Sequence, residues 1–365
     1  MTGRESPLHP EARSLIGHLG LAENPLGGWF TQVHECRPPR GVGRSVVTVI
    51  NYLLESARPV AYLHRTSADA IHFFHGGCPL AVVTVSPDGE LGRQVLGDDL
   101  AGGQSLQVVV AGGTWKAFEL TGGPWALISE AVSPGWEATD QEEATPAVYA
   151  RDHQHLRTAI ERFVRDDGTP GARAALPSGV ARARAALPSG MPAMGELRDR
   201  LGLEPNPEGG WFRQTYESAA QVDTGGGPRP LLNTIYYLLT ADSPVGHLHR
   251  NRSAITHFHH HGGPATYLLV DPEGRLHEVV LGPDLTAGHV VSFTALGGWW
   301  KASHILAPGA TDCLISEAVS PGFRYDDHEM ASVEGLEAEL GATIAVPGSA
   351  PVEVFQRLRP YVLRP

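Results

Sequence analysis

The sequence has few cysteines, and they are widely separated. Three occur in 365 residues, at Cys36, Cys78 and Cys313. They are too few for a disulfide framework and lack the CxxC spacing of a cysteine metal site. This pattern is typical of a protein that works in a reducing cytoplasm.

Long apolar runs and an excess of basic charge are also lacking. No stretch reaches the ~18 consecutive apolar residues that span a bilayer, and the start, MTGRESPLHPEAR, lacks the basic and then apolar pattern of a signal peptide. We therefore expect no membrane association. The formal net charge of -12 argues against nucleic acid as a partner, because phosphate binding needs a basic face.

Histidine, by contrast, is concentrated in one short stretch. Residues 244–264, PVGHLHRNRSAITHFHHHGGP, contain six of the 18 histidines. Side chains alternate between the two faces of a strand, so His247 and His249 would share a face of one strand, and His257 and His259 a face of the next. Imidazole is a common metal ligand and a proton-transfer group near neutral pH. The stretch therefore predicts a histidine-lined cavity; a hydrated loop is the alternative.

The chain contains an internal repeat of a whole domain. NPLGGWFTQVHE at 24–35 matches NPEGGWFRQTYE at 206–217, and the match ends with LISEAVSPGW and LISEAVSPGF. Each copy spans roughly 140 residues, enough for its own core. We predict an N-terminal barrel over residues 1–150, a helix and linker over 151–193, a C-terminal barrel over 194–335, and a tail over 336–365 that packs on a barrel.

The predicted linker holds the octamer ARAALPSG twice, at 172–179 and 183–190. Its Ala, Arg, Pro, Gly and Ser composition cannot bury much apolar area, so we expect a mobile tether.

Within each copy the pattern predicts one short helix, at 10–19 or 194–201, followed almost entirely by strands. Asp88-Gly89 and Glu273-Gly274 separate apolar runs and are predicted hairpin turns. Many short antiparallel strands favour an all-β fold, a sandwich or a barrel, whose interior is wide enough for one ligand.

The motifs NPxGGWF, HR and SPG[WF], which occur twice in this order, resemble those of the small bacterial and fungal cupins long labelled a domain of unknown function. The resemblance covers about 8–145 and 194–335. It implies two tandem jelly-roll barrels, a bicupin, similar to the barrels of dTDP-sugar epimerases and plant storage proteins. We expect the two barrels to pair through their sheets, because pairing buries edge strands, and further homo-oligomerisation is compatible with this arrangement.

The resemblance also implies a metal site, but its usual ligands are only partly present. Cupins bind Mn, Fe, Ni or Zn with three histidines and a glutamate from two motifs. In the C-terminal copy the first histidine matches His249, while the glutamate position falls on Ile255 and the last histidine near Lys301; the N-terminal copy departs in the same way.

The C-terminal copy has histidines at inward positions where the N-terminal copy has other residues. We therefore predict that one divalent metal, Zn, Fe, Mn or Ni, is bound there without a carboxylate. The predicted ligands are His247, His249, His257 and His259. A metal-free cluster that relays protons or binds a carboxylate is the alternative. No P-loop is present, so no nucleotide cofactor is expected.

The other candidate residues bind or transform a small-molecule substrate. His249, His257 and Lys301 are predicted to be catalytic, since a lysine in a barrel strand is rarely buried without a partner. For Arg250, an outward ion pair with Glu317 is the alternative to anion binding. The predicted substrate-binding residues are Arg250, Trp300, Tyr237, His64, His72 and Lys116.

Three functions follow from these patterns. The first is a biosynthetic enzyme of isomerase, epimerase or cyclase type, in which histidines of the C-terminal barrel move a proton next to a carbonyl, with or without a divalent metal. The second is a metal-dependent oxygenase. The third is a ligand-binding cupin without catalysis.

Overall fold

The structure is a computed structural model that describes residues 8–38, 43–146, 154–165, 194–305, 312–343 and 351–363. The described residues fall into two compact units, one within residues 1–37 and 42–192 and the other within residues 38–41 and 193–365. The linker octamers at 172–179 and 183–190 lie outside the described residues. We keep the predicted domain bounds as a proposal.

The N-terminal unit opens with the predicted helix, Pro10–Leu19, and continues as strands. In chain order these are β1 (Ala22–Glu23), β2 (Trp29–Cys36), β3 (Val47–Glu55), β4 (Val60–Arg65), β5 (Asp69–Gly77), β6 (Leu80–Val85), β7 (Leu91–Leu96), β8 (Gln107–Val110), β9 (Trp115–Leu120), β10 (Trp125–Ser133) and β11 (Glu142–Glu143). They form two sheets, in the orders β1-β2-β3-β10-β5-β8 and β11-β4-β9-β6-β7. Short helical turns lie at Ala138–Asp140, Gln154–Leu156, Arg157–Ile160 and Glu161–Phe163.

The C-terminal unit repeats this plan after the predicted helix Met194–Leu201. Its strands are β12 (Glu204–Pro205), β13 (Trp211–Glu217), β14 (Gln221–Asp223), β15 (Pro228–Pro230), β16 (Asn233–Thr240), β17 (Val245–Asn251), β18 (Ala254–Gly262), β19 (Ala265–Val270), β20 (Leu276–Leu281), β21 (Ser292–Ala295), β22 (Trp300–His304), β23 (Asp312–Ser320) and β24 (His328–Met330). The sheets are β12-β13-β16-β23-β18-β21, β14-β15 and β20-β19-β22-β17-β24. Helical segments lie at Leu285–Ala287, Tyr325–Asp327, Val333–Thr343, Pro351–Leu358 and Arg359–Tyr361.

The five-stranded sheet of the C-terminal unit is buried on both faces. Leu268 packs in a cluster with residues of the helix Pro351–Leu358, whereas its neighbour Tyr267 packs against residues of the six-stranded sheet. Because side chains alternate along a strand, a sheet covered on both sides needs nearly continuous apolar strands. This explains the run ATYLLV in β19.

The predicted all-β fold, with two tandem jelly-roll barrels, is confirmed. The predicted turns also lie where expected: Gly89 joins β6 to β7 with φ 85°, and Gly274 joins β19 to β20 with φ 77°. Such positive φ angles favour glycine. No helix in the described part of the chain is both long and apolar enough to cross a membrane.

Phe163 provides a test of how the segment after the N-terminal barrel packs. Its side chain is fully buried in a cluster with Leu63 and Trp115 of the five-stranded sheet. Phe163→Ala should lower the free energy of unfolding by about 3–5 kcal/mol, because the sheet cannot close over the cavity left behind. Val33→Ala, at a side chain that is 37% exposed, is the control and should cost far less. Urea unfolding followed by circular dichroism measures both, and equal effects would contradict this packing.

Candidate metal centre

A small, partly open cavity lies within the C-terminal barrel. Strands of both large sheets and the loop before β13 contribute to its wall. The lining residues are Glu208, Tyr237, His249, Tyr267, Lys301, Ala302, Ser303 and Glu317.

The repeated motif NPEGG holds Glu208 at this cavity through a tight turn. The Asn206 side chain accepts a hydrogen bond from the Glu208 amide (3.0 Å), and the Asn206 carbonyl accepts one from the Gly209 amide (2.9 Å). Gly209 has φ 94°, and a Cβ there would collide with the Val245 carbonyl oxygen. The His247 amide donates to the Glu208 carbonyl (2.6 Å). The turn is thereby fixed against β17.

Glu208 lies between two imidazoles. One carboxylate oxygen is 3.2 Å from His249 Nε2 and the other is 2.7 Å from His328 Nε2. The three donor atoms lie within 4.8 Å of one another. His249 comes from β17 and His328 from the start of β24, which is paired with β17. The centre therefore assembles residues from three separate parts of the repeat.

The protonation of His249 shows why this group suits a metal. Its Nδ1 lies 2.7 Å from the His247 carbonyl oxygen, so Nδ1 is the donor and Nε2 carries a lone pair. Burial lowers the pKa of His249 to about 4, which leaves the ring neutral at pH 7. Burial acts to raise the pKa of Glu208, but His249, His328 and Lys301 outweigh this effect and lower it.

The Nε2 atoms of His249 and His328 are buried and make no hydrogen bond of acceptable geometry within the described residues, although the Glu208 oxygens are close. The lone pair of His249 Nε2 faces the Glu208 carboxylate and is repelled by it unless a cation lies between them, whereas His328 Nε2 lies within hydrogen-bond distance of the other carboxylate oxygen. Two imidazole nitrogens and a carboxylate are a suitable donor set for a divalent transition metal. The residues present therefore fit a metal ion.

A second buried group lies beside the first. Lys301 Nζ is 3.2 Å from His257 Nε2 and 3.5 Å from Glu317 Oε1, and His257 Nε2 is 3.1 Å from the same oxygen. Burial acts to raise the pKa of Glu317, but Lys301 and His257 outweigh it and hold the pKa well below its usual range. Burial and the Lys301 charge lower the pKa of His257. The group therefore holds an ionised carboxylate, an ammonium and a neutral imidazole.

The four predicted metal ligands are not brought together; only His249 belongs to the ligand group. A register shift between Gly246 and His249 breaks the strand alternation assumed for this segment. His247 Nδ1 consequently lies 3.2 Å from the Tyr361 carbonyl oxygen, and His257 belongs to the lysine group. His259 is buried, next to a further register shift in β18.

Of the three substrate-binding residues predicted in the C-terminal barrel, two are outside the cavity. Arg250 Nε lies 2.8 Å from Glu329 and its Nη1 2.9 Å from Glu339, and its guanidinium stacks over Trp300 at 4.4 Å. Strand alternation places both on the opposite face from Lys301, with Glu329 and Glu339 as the acidic partners instead of Glu317. Tyr237 does line the cavity, and burial raises its pKa well above the usual value.

The N-terminal barrel retains the lysine group. Lys116 Nζ contacts Glu130, and lies 3.4 Å from His72 Nε2. Where the C-terminal unit has Glu208, the repeat places Leu26.

His64, the counterpart of His249, donates from Nδ1 to the Tyr62 carbonyl in the same way (2.8 Å). Strand pairing places Gln141 at the position of His328. Its side chain accepts a hydrogen bond from the Trp136 indole (2.9 Å). The metal-binding donor set is thus present in one copy of the repeat.

Sequence reasoning missed Glu208 and His328, although a signal for Glu208 exists. The motifs NPLGGWF and NPEGGWF differ only at the position of Leu26 and Glu208. An acidic residue that replaces leucine within an otherwise identical motif indicates a changed site. His328 lies five residues beyond the SPGF motif, and both the ungapped continuation of the repeat and the strand pairing align it with Gln141.

Comparison with known proteins identifies the family. The model described as Cupin superfamily (DUF985) matches residues 13–144 and again residues 196–331. The chain therefore belongs to this family, with two copies of its domain.

The individual relatives cover different parts of the chain. An uncharacterized protein of Saccharomyces cerevisiae, YML079W, is 37% identical over 134 residues, which are 33% of this chain and 66% of that protein, just under two thirds of its length. The structure of protein SO0799 from Shewanella oneidensis has 26% identity and a TM-score of 0.41, over 43% of this chain and 98% of that one. An oxalate decarboxylase variant from Bacillus subtilis has 12% identity and a TM-score of 0.47, over 87% of this chain and 81% of that one.

The metal centre predicts a stoichiometry that depends on one barrel. The protein loaded with Zn²⁺ and desalted should hold about one metal ion per chain by elemental analysis. His249→Ala and Glu208→Gln should each abolish this binding, because two donors do not hold the ion. His64→Ala, the matched change in the N-terminal barrel, should retain it. Equal loss in the His64 and His249 variants would contradict a centre in the C-terminal unit.

The buried histidines predict that stability depends on pH. Burial, aided by Lys116, lowers the pKa of His64 from 6.5 to about 4. Between these values the unfolded chain binds a proton at this residue and the folded chain does not, so stability falls as the pH falls from 6.5 to 4. His64→Gln should remove about 3 kcal/mol of this dependence. Urea unfolding at several pH values checks it, and an unchanged slope in the variant would refute the assignment.

Proposed function

We propose that the C-terminal unit is a metal-dependent enzyme of isomerase, epimerase or cyclase type that acts on a small molecule by proton transfer. One observation carries the proposal: candidate metal ligands and the buried Lys301 group meet at the same cavity. Proton transfer next to a carbonyl requires both stabilisation of negative charge on oxygen and a group that exchanges the proton.

The two groups would divide these tasks. A divalent metal bound by Glu208, His249 and His328 supplies Lewis-acid stabilisation of negative charge on a substrate oxygen. Lys301 Nζ, at the cavity wall, is the proton-transfer group: once it has passed a proton to His257 Nε2 at 3.2 Å, its neutral amine can accept the proton from carbon and the resulting ammonium can return it to the product. In this proposal His249 is a ligand, and is not a proton-transfer group as expected from the sequence.

Burial strengthens these interactions. Lys301 is 4% exposed and Glu317 7% exposed, so bulk water screens their charges only weakly. Glu317 Oε1 lies 3.5 Å from Lys301 Nζ, and stacking with Phe293, whose ring lies 4.6 Å away, holds the His257 ring in place. Fixed donors in a dry cavity need little reorganisation during the reaction.

A metal-dependent oxygenase is the second candidate. Two histidines and one carboxylate, with the remaining coordination positions open, form the donor set that non-haem iron oxygenases use. This observation favours Fe²⁺ and a reaction that consumes O₂. The third candidate is a cupin that binds a small ligand and does not transform it.

Several further expectations remain part of this proposal. They are the likeness to dTDP-sugar epimerases, a biosynthetic role, a cytoplasmic location, no nucleotide cofactor, no nucleic acid partner, the pairing of the two barrels and further homo-oligomerisation. The small number of cysteines and the net charge of -12 support the location and the absence of nucleic acid.

Exchange of carbon-bound hydrogen tests the proposal. The Zn²⁺-loaded protein is incubated without O₂ in D₂O with a panel of small carbonyl compounds that includes pyruvate and oxaloacetate, and NMR records the loss of C–H signals next to the carbonyl. We expect Lys301→Met to slow the exchange about 10²–10⁴-fold. Lys116→Met, the matched change in the N-terminal barrel, should leave it unchanged. Retained zinc shows that each variant is folded.

The opposite ranking of the two lysine variants would assign the activity to the N-terminal barrel. Absence of exchange together with O₂ consumption by the Fe²⁺-loaded protein would favour the oxygenase. Absence of both reactions for all compounds that bind would favour the non-catalytic cupin.

A further inference from the structure

At one cross-strand pair inside the barrel, the two copies place the large and the small side chain on opposite strands. Tyr267 on β19 faces Ser303 on β22, and at the corresponding positions Val82 on β6 faces Phe118 on β9. Each pair combines one aromatic and one small side chain. The C-terminal pair carries two hydroxyl groups, whereas the N-terminal pair carries none.

The aromatic ring has the same packing role in both copies. Phe118 packs edge-on against His72 with ring centroids 5.1 Å apart, and Tyr267 packs edge-on against His257 at 4.8 Å. Each ring therefore covers the histidine of the lysine group, although it comes from a different strand. Packing alone does not require the two hydroxyls, because the N-terminal barrel achieves the same cover without them.

The Tyr267 hydroxyl is buried and poorly satisfied. Tyr267 is 2% exposed and lines the cavity, and its hydroxyl has no hydrogen bond of good geometry within the described residues. Burial raises the pKa of Tyr267, and a contact with the Ser303 hydroxyl partly offsets this effect, but that contact lacks good hydrogen-bond geometry. Burying an unpaired hydroxyl costs about 1–3 kcal/mol. A ligand oxygen in the cavity would remove this cost.

Gly246 leaves room for the hydroxyl groups of Ser303 and Tyr237. It faces Ser303 across β17 and β22, and a Cβ at this position would collide with the hydroxyl oxygens of Ser303 and Tyr237. In the N-terminal barrel the corresponding residue is Ala61, which faces Phe118. Three positions thus differ together, and all three differences admit polar atoms to the C-terminal cavity.

The charges at the cavity specify the rest of the ligand. Lys301 and Glu317 compensate each other, so a divalent cation beside the Glu208 carboxylate and two neutral imidazoles leaves one net positive charge. One anionic group on the ligand would neutralise it. The cavity is small. The ligand is therefore small and carries one negative charge.

We propose that Tyr267 and Ser303 bind an uncharged oxygen of a small hydroxy or oxo monocarboxylate, whose carboxylate is neutralised by the metal centre and Lys301. This inference rests on the proposed function, for which it specifies the class of substrate. Tyr267 and Ser303 are then the residues that distinguish such an acid from a simple carboxylate.

Calorimetric titration of the full-length Zn²⁺-loaded protein tests this assignment, with pyruvate, lactate and acetate as the probes. Wild type should bind pyruvate or lactate at least about tenfold more tightly than acetate, which has no second oxygen, since one hydrogen bond in a buried site is worth about this factor. Tyr267→Phe should weaken the favoured acid about tenfold and leave acetate unchanged. Tyr52→Phe, which removes a buried hydroxyl from the N-terminal barrel, is the matched control and should change neither.

A double variant protects the test against misfolding. Tyr267→Val with Ser303→Phe installs the pair that the N-terminal barrel already packs, so it should keep about one zinc ion per chain and lose the preference over acetate. Equal binding of the three acids by wild type would overturn the inference, and so would unchanged binding of the favoured acid by Tyr267→Phe. If the protein still held zinc in either case, the proposed metal centre would stand. If the wild-type protein binds no zinc but still prefers pyruvate or lactate over acetate in a way that depends on Tyr267, the metal centre would be refuted and the role of Tyr267 and Ser303 supported.

Discussion

Each barrel encloses an ammonium group that has to be paired with a carboxylate from the opposite sheet. Lys116 on β9 contacts Glu130 on β10, and Lys301 on β22 contacts Glu317 on β23. Loss of one partner of a buried pair leaves an uncompensated charge, at a cost of about 3–5 kcal/mol. Because the two strands of each pair belong to different sheets, the ion pair links the packing of the sheets to the place where chemistry can occur.

The duplication has kept this ion pair and changed its surroundings. The N-terminal unit has two buried apolar side chains, Leu26 and Phe118, at positions that differ in the other copy. In the C-terminal unit Glu208 and Ser303 stand at these positions and bring polar atoms to the cavity. The scaffold that carries the charge is therefore common to both copies, while the groups that would hold a metal and a substrate belong to one.

The fold was predictable because its signals are local or repeated. The helix Pro10–Leu19 and the turn at Gly89 follow from capping, periodicity and turn chemistry within a few residues. The motif NPxGGWF, present twice, indicated both the family and the duplication, since the second copy supports each assignment made for the first.

The candidate site was predictable only in part. Lys301 and His249 were identified because a lysine in a barrel strand and a histidine beside HR are unusual in themselves. The other two ligands, Glu208 and His328, lie about 40 and 80 residues from His249 in sequence, and only the pairing of distant strands brings them together. The side on which His247 lies depends on a register shift that strand alternation does not reveal.

The exchange of Tyr267 and Ser303 for Val82 and Phe118 also bears on the order in which the copies diverged. Two aromatic residues across one strand pair overfill the barrel, at a cost of about 1–3 kcal/mol, and two small residues leave a cavity comparable to that of Phe→Ala, about 3–5 kcal/mol. If the two residues change one at a time, the chain must pass through one of these two intermediates. The crowded intermediate costs less, so the new aromatic residue is expected to have arisen before the old one was lost. An ancestral sequence with aromatic residues at both positions would record that passage.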